Sequence, residues 1–194
     1  MKYLALVMLS SILFTGCAYK SSMQVPLKYT KEAEKADLNH KLQAEQHGRS
    51  CKIKLTKIED KRFNKQSLGI IGRTTILSDN LDAWVRQGVI EESKNQYSLI
   101  LPQVKTKGSI DLSMELQIRK AYIHSINASK TANIVLKAKL RSKDIDDTSK
   151  YYRGGYTSIN WDSSEDESHE ALNKALFEAI HKLNKDILSL CKKT

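Results

Sequence analysis

The apolar run that opens the chain, Leu4 to Phe14, is too short to cross a membrane, since a spanning helix needs roughly 20 such residues. Catalytic signatures are missing as well. There is no G-x-S-x-G and no C-x-x-C. The five histidines, His40, His47, His124, His169 and His181, include no i,i+4 pair and no cluster with metal-ligand spacing. Gly69 and Gly72 lack the lysine and the spacing of a phosphate-binding loop. The carboxylates gather before the last helical stretch, where capping accounts for them. These absences argue against an enzyme, and neither a cofactor nor a metal is expected. No internal repeat and no second domain is evident.

What the first residues do contain is a signal-peptide core behind a single positive charge, Lys2, followed by the small residues Thr15 and Gly16 and then Cys17. This resembles the bacterial lipobox, in which cleavage before the cysteine leaves it as the lipid-bearing first residue. Phe14 stands where a leucine is usual. An ordinary secretory signal with an incidental cysteine, or a short N-terminal anchor, fits less well, because no small-x-small site lies nearby. The resemblance implies a diacylglyceryl thioether on Cys17 and an amide-linked acyl chain such as palmitate. Several chains hold far better than one, at roughly 0.8 kcal/mol per buried methylene. Ala18 is not the aspartate that retains such proteins in the inner membrane. The expected location is therefore the outer membrane, facing the periplasm, with the membrane itself as one partner.

Loss of residues 1–16 leaves 178 of the 194 residues, enough for one domain and a tether. With Lys2 gone, 31 basic side chains exceed the 22 acidic ones by nine. A basic surface favours anionic neighbours such as lipid head groups, lipopolysaccharide phosphates or carboxylate-bearing cell wall; simple solvation of scattered lysines is the alternative. Nucleic acid is excluded by location. In an oxidising compartment the two remaining cysteines, Cys51 and Cys191, are candidates for a bridge, the alternative being two buried thiols.

Residues 17–50 are polar, with scattered apolar positions such as Val25 and Leu27, and read as the lipidated N-terminus and a tether. Within them "KEAEKADLNHKLQAEQ" predicts a frayed helix or disorder. A flexible segment of this length reaches about 30 to 35 Å. A periplasmic domain is expected over 51–194. "CKIKLTKI" alternates as a half-buried strand, and "EDKRFNKQSLGIIGRTT" reads as a long mobile loop. Asp79 is the expected N-cap of a helix burying Leu81, Trp84, Val85 and Val89.

"SIDLSMELQI" sends Ile110, Leu112, Met114, Leu116 and Ile118 inward, and then the phase slips to Ala121 and Ile123, which predicts a bulge near Arg119. "ANIVLKAKLRSK" buries Ile134, Leu136, Ala138 and Leu140 and is expected to pair with it around "NASK". "YYRGGYTSINW" gives a last strand in which Gly154 and Gly155 mark a bulge or a close backbone approach. Ser164 and Glu167 form a capping box for a long C-terminal helix with its apolar face at Leu172, Leu176, Ala179, Ile180, Leu183, Ile187 and Leu190. The expected fold is α+β, one domain, a mostly antiparallel sheet of about five strands covered by two helices, the longer one C-terminal.

Two contact surfaces are candidates. One is the basic stripe Lys137, Lys139 and Arg141, with Lys52 and Lys54 beside it; the other is the aromatic strand Tyr151, Tyr152, Tyr156 and Trp161 around Arg153. A solvated strand face and a buried set of rings are the plain alternatives.

Taken in order, the lipobox, "IEDKR", the "IG" loop, "DNLDAW", "LQIRKAYIHSINASKTANIVLKAKL", "YYRGGYTSINW" and "ALNKALFEAIHKLNKDI" are similar to the YajG-like family of uncharacterised bacterial outer-membrane lipoproteins, over most of residues 51–190. That resemblance implies an α+β periplasmic domain on an outer-membrane anchor and brings no enzymatic residues with it. The expected function is a non-enzymatic interaction module for an envelope protein or complex. The alternative is an auxiliary lipoprotein that binds lipid, lipopolysaccharide or peptidoglycan in envelope transport or cell-wall synthesis.

Overall fold

The alternating run Leu112–Ile126 is the strand on which the rest of the sheet is assembled. The computed structural model describes residues 21–31, 51–104, 108–142 and 147–192. In chain order the elements are β1 (Ser22–Gln24), β2 (Lys52–Asp60), β3 (Gly69–Ile71), β4 (Thr74–Leu77), α1 (Leu81–Ser93), β5 (Ser98–Ile100), β6 (Leu112–Ile126), β7 (Ser129–Arg141), β8 (Thr148–Ile159) and α2 (Glu165–Cys191). β6, β7 and β8 form an antiparallel meander. The opposite edge of β6 is divided between two strands. β2 runs parallel to its first half and carries β5 outside it, while β3 runs parallel near Ile123 and His124 and carries β4 and then β1.

Both helices pack on one face, where Ile53, Leu55, Met114, Leu116, Ile134 and Leu136 meet Leu172, Leu176, Ile180 and Leu183 in one core. Burying each such side chain stabilises by about 1.5–3 kcal/mol before entropy is counted. The predicted phase slip is present: the β6–β7 register shifts between Ile118 and Lys120, and Ala121 and Ile123 turn inward after it. α2 begins as expected, with the Ser164 Oγ accepting the Glu167 N–H at 3.2 Å. Only half of the capping box forms. The Glu167 carboxylate instead accepts the Trp161 N–H and binds the fully buried Lys130 ammonium at 2.5 Å, tying the helix start to β7.

The α+β class and two helices stand, but the expected mostly antiparallel sheet of five strands does not. Among the described residues there are eight strands, and four of their seven pairings are parallel. Alternation records which face of a strand is buried and is silent on the direction of its neighbour. The "long mobile loop" is also corrected. Buried Arg62 bonds both Asp60 oxygens and the Ser67 carbonyl, closing residues 60–67 into a clasp, and residues 69–77 form a hairpin. Gly69 is required there, because a Cβ would stand 2.0 Å from the Ile123 carbonyl oxygen. The N-cap of α1 is Asn80, in a left-handed conformation, while Asp79 accepts a hydrogen bond from Gln24.

The largest correction concerns the tether. Residues 21–31, read as part of it, belong to the folded body. β1 pairs with β4, Val25 and Tyr29 are core residues, and the Tyr29 hydroxyl donates to buried Glu92 at 2.9 Å. Asn173 of α2 grips the same segment through the Lys28 carbonyl and the Thr30 hydroxyl. Four apolar residues in eleven, Met23, Val25, Leu27 and Tyr29, are enough when a β-edge and two helices supply the rest of the burial. The predicted frayed helix, Cys17 and the signal peptide lie outside the described residues.

The strands define two ends. At the hairpin end lie Ser21, the β3–β4 turn at Gly72 and Arg73, the β6–β7 turn at Asn127 and Ala128, and the passage from β8 to α2. At the other end Cys51 and Cys191 form the expected disulfide, with Cα atoms 5.9 Å apart.

Candidate functional site

Because the helices cover one face only, the other face of the sheet is open along the meander and β2. Cross-strand register sorts its side chains into rows, since residues directly opposite share a face. Toward the disulfide end the rows are Lys54, Ser113 and Arg141; Lys57, Glu115, Lys139 and Ser149; Glu59, Gln117, Lys137 and Tyr151; then Lys120, Val135 and Arg153.

The predicted stripe Lys137, Lys139 and Arg141 is thus brought together, and β2 and β8 widen it with Lys57 and Arg153. It is not a bare run of charge. Asp147 receives the Lys139 ammonium at 2.9 Å and the Arg141 guanidinium Nε at 3.1 Å. The hydrogen bond from Lys139, with Arg141 close by, holds the Asp147 carboxyl below its ordinary range. Glu59 bonds Lys57, which lowers the acid and raises the amine. The Lys137 ammonium lies over the exposed Tyr151 ring, 5.6 Å from its centroid. Seven cations, Lys54, Lys57, Lys120, Lys137, Lys139, Arg141 and Arg153, stand against three carboxylates, Glu59, Glu115 and Asp147, in these rows. A positive excess with interspersed acceptors suits an anionic or mixed-charge contact.

The aromatic candidates divide. Tyr152 and Tyr156 point to the helix side, away from the stripe. The Tyr152 hydroxyl donates to Asp186 at 3.0 Å, and burial together with that carboxylate raises its pKa well above the ordinary phenol value. The Tyr156 hydroxyl accepts from Lys174 at 3.1 Å, with the same ammonium 4.6 Å from the ring centroid. These two tyrosines seat α2. Tyr151 and Arg153, one position away on the same strand, are the exposed members. Strand alternation requires that neighbours face opposite ways, but it does not say which of them faces out.

β8 is the free edge of the meander, and α2 covers part of it. The Glu178 carboxylate accepts the Gly155 N–H at 2.6 Å, and Lys182 donates to the Arg153 carbonyl at 2.9 Å. Burial raises the pKa of Glu178, yet the Gly155 and Lys182 donors outweigh it and leave the group below its ordinary value. Charges at an edge discourage pairing with another chain. A hollow beside the end of β8 is lined by Tyr156, Ser158, Trp161, Glu167 and Glu170, but Glu167 is bonded by Lys130 and Glu170 by Lys174. Among the described residues no three His, Cys, Asp or Glu side chains are grouped to hold a metal.

Sequence reasoning missed Lys57 and Lys120 on the open face, because their place depends on a bulge after Leu55 and another after Ile118. It also missed Asn173 and Asn184, buried on α2. Asn173 accepts the Trp84 indole N–H at 2.9 Å, and Asn184 accepts the Tyr97 hydroxyl at 2.7 Å. Two asparagines on an otherwise apolar helical face were the available signal.

No protein-family model and no curated protein sequence matches the chain. Solved structures do. The fold is shared with a Xanthomonas campestris protein of the family DUF330, at a TM-score of 0.61 and 13% identity over 88% of this chain and 97% of that one. Looser likenesses include a putative lipoprotein from Caulobacter crescentus (TM-score 0.42, 9% identity, 58% of this chain, 84% of that one). Another is a lipoprotein from Neisseria meningitidis (TM-score 0.36, 8% identity, 74% and 99%).

Proposed function

We propose that the protein is an outer-membrane lipoprotein of the YajG-like kind, facing the periplasm, that works without catalysis by presenting the open face of its sheet to another envelope protein or complex. The observation that carries this reading is the one-sided layering. A sheet whose described helices leave one face uncovered, with cations in rows around Tyr151, offers a broad contact surface. The Cys17 motif supports the envelope assignment, and the Cys51–Cys191 bridge fits an oxidising compartment.

Photocross-linking in living cells tests it, with probes replacing Lys137 and Tyr151 on the open face and Lys185 on the outer side of α2. One protein adduct recurring at the first two positions and absent at the third is the expected result. Adducts of equal yield at all three would refute a face-specific contact, and turnover that depends on particular side chains would refute the non-enzymatic reading.

The excess of cations favours a second reading, in which the same face binds lipopolysaccharide or peptidoglycan in support of envelope transport or cell-wall synthesis. Charge reversal at Lys137, Lys139 and Arg141 then abolishes binding to those materials; unchanged binding counts against it.

A further inference from the structure

We infer that the hairpin end of the domain is a membrane seat: Ile70, Ile126, Ile159 and Trp161 rest in the zwitterionic phospholipid surface that holds the acyl chains of Cys17. The inference rests on the lipidation of Cys17 and follows from where β1 is fixed. Between Cys17 and Ser21 there are four residue steps, a span of at most about 14 Å. Ser21 is fastened to the folded body: its hydroxyl bonds Thr74 at 2.6 Å, its carbonyl accepts the Thr75 N–H at 2.9 Å, and Ser22 begins the pairing with β4. A long leash is therefore ruled out. The domain lies against the bilayer, and the end that touches is the one carrying Ser21.

Four of the eight exposed large apolar side chains among the described residues gather at that end; Phe63, Val104, Tyr122 and Tyr151 are the others. Ile126, Ser129 and Ile159 form the last row of the open face, and Ile70 opposes His124 one row in. Ile126 is 62% exposed, Ile159 57%, Ile70 54% and Trp161 81%. Large apolar side chains gathered at one end of a sheet mark a contact with another apolar phase, and tryptophan favours the water–lipid boundary because its ring is amphipathic. The neighbours of Trp161 specify the lipid. Asp162, Glu165 and Asp166 stand near it in sequence and outnumber the exposed Arg73 of the β3–β4 turn, so this end favours a zwitterionic surface over an anionic one. An acyl anchor gains from such a second contact, which fixes orientation.

The Arg141 row lies twelve residues along β7 from the Ser129 row, about 40 Å at strand rise. With the hairpin end seated, the basic stripe points away from the membrane that anchors the protein.

Trp161 is exposed and Trp84 is buried, so the protein carries its own reporter. The test uses the full-length mature lipoprotein in vesicles of phosphatidylcholine with brominated acyl chains, which quench tryptophan on contact, against unbrominated vesicles. In Trp84→Phe, emission should be blue-shifted and mostly lost in brominated lipid. Should that variant fold poorly, the wild type against Trp161→Phe gives the same comparison: the wild type is quenched, and the remaining emission of Trp161→Phe is indifferent to bromine. Mass spectrometry of the N-terminal peptide reports acylation separately. An acylated protein whose Trp161 emission is equal in both lipids overturns the seat and leaves the anchor standing. A peptide without acyl mass overturns the anchor and the seat with it.

Discussion

Replacing Gly154 with alanine is expected to lift α2 off the sheet. A Cβ at this position stands 1.8 Å from the Ala175 carbonyl oxygen and 2.7 Å from the Ala179 nitrogen. Carbon–oxygen contacts settle at about 3.3 Å or more, so strand and helix must separate by roughly 1.5 Å. A gap of even 0.5–1 Å forfeits about a quarter to a half of each dispersion contact. The seam that opens is the one where the buried Ala175 and Ala179 meet β8. Overpacking costs about 1–3 kcal/mol and sometimes more, and backbone against backbone belongs at the upper end. The stiffer unfolded chain returns only about 0.4–1 kcal/mol. A net loss of about 2–3 kcal/mol follows, read as a lower urea midpoint at unchanged m-value by circular dichroism of the purified protein. Gly155→Ala is the control, because its Cβ would make an ordinary contact at 3.5 Å with the Asn133 amide oxygen. A Gly154→Ala protein within about 0.5 kcal/mol of wild type, the range of an ordinary surface change, would refute the close packing of β8 on α2.

Reduction of the Cys51–Cys191 bridge, or Cys51→Ser with Cys191→Ser, should lower stability by up to about 5 kcal/mol, because the bridge spans 140 residues; equal urea midpoints with and without reductant would contradict it. Asp147→Asn removes the carboxylate shared by Lys139 and Arg141, so binding to anionic envelope material should tighten and its salt dependence steepen, as titration at two ionic strengths would show. Glu178 has a folded pKa below its ordinary 4.5, so its contribution is complete above that value and disappears as pH falls through the folded pKa. Glu178→Gln should therefore flatten the decline of thermal stability below pH 4.5, whereas parallel curves for the two proteins would show that the Gly155 bond contributes nothing.

The elements legible in the sequence are those that carry their own pattern over many residues. The β6–β7 hairpin and its slip follow from thirteen paired positions of alternating burial, and α2 follows from an apolar stripe with a serine cap. β3, β4, β5 and β1 are three or four residues long, shorter than one period can establish. β1 in addition draws its partners from residues fifty positions away, so nothing local distinguishes "SMQ" from a tether. For the candidate face the residue types were legible and the phase was not. Lys137, Lys139 and Arg141 were found because their own strand alternates cleanly, while Tyr151 changes places with Tyr152 under a slip of one residue.

The fixing of β1 beside β4 also determines how the molecule bears load. A pull between an anchor ahead of Ser21 and a partner gripping the Lys139 region would run along the strand axes. β1 lies parallel to β4 with both N-termini at the hairpin end, so tension on Ser21 slides one strand past the other and strains the Ser22–Gln24 contacts together. Strands drawn sideways would instead unzip, bond after bond. From β4 the force passes through β3 into β6 and on to the meander, where thirteen paired positions share it. Three-residue strands are weak in isolation, yet loaded in shear they would resist a pull between the Ser21 end and the far end of the sheet.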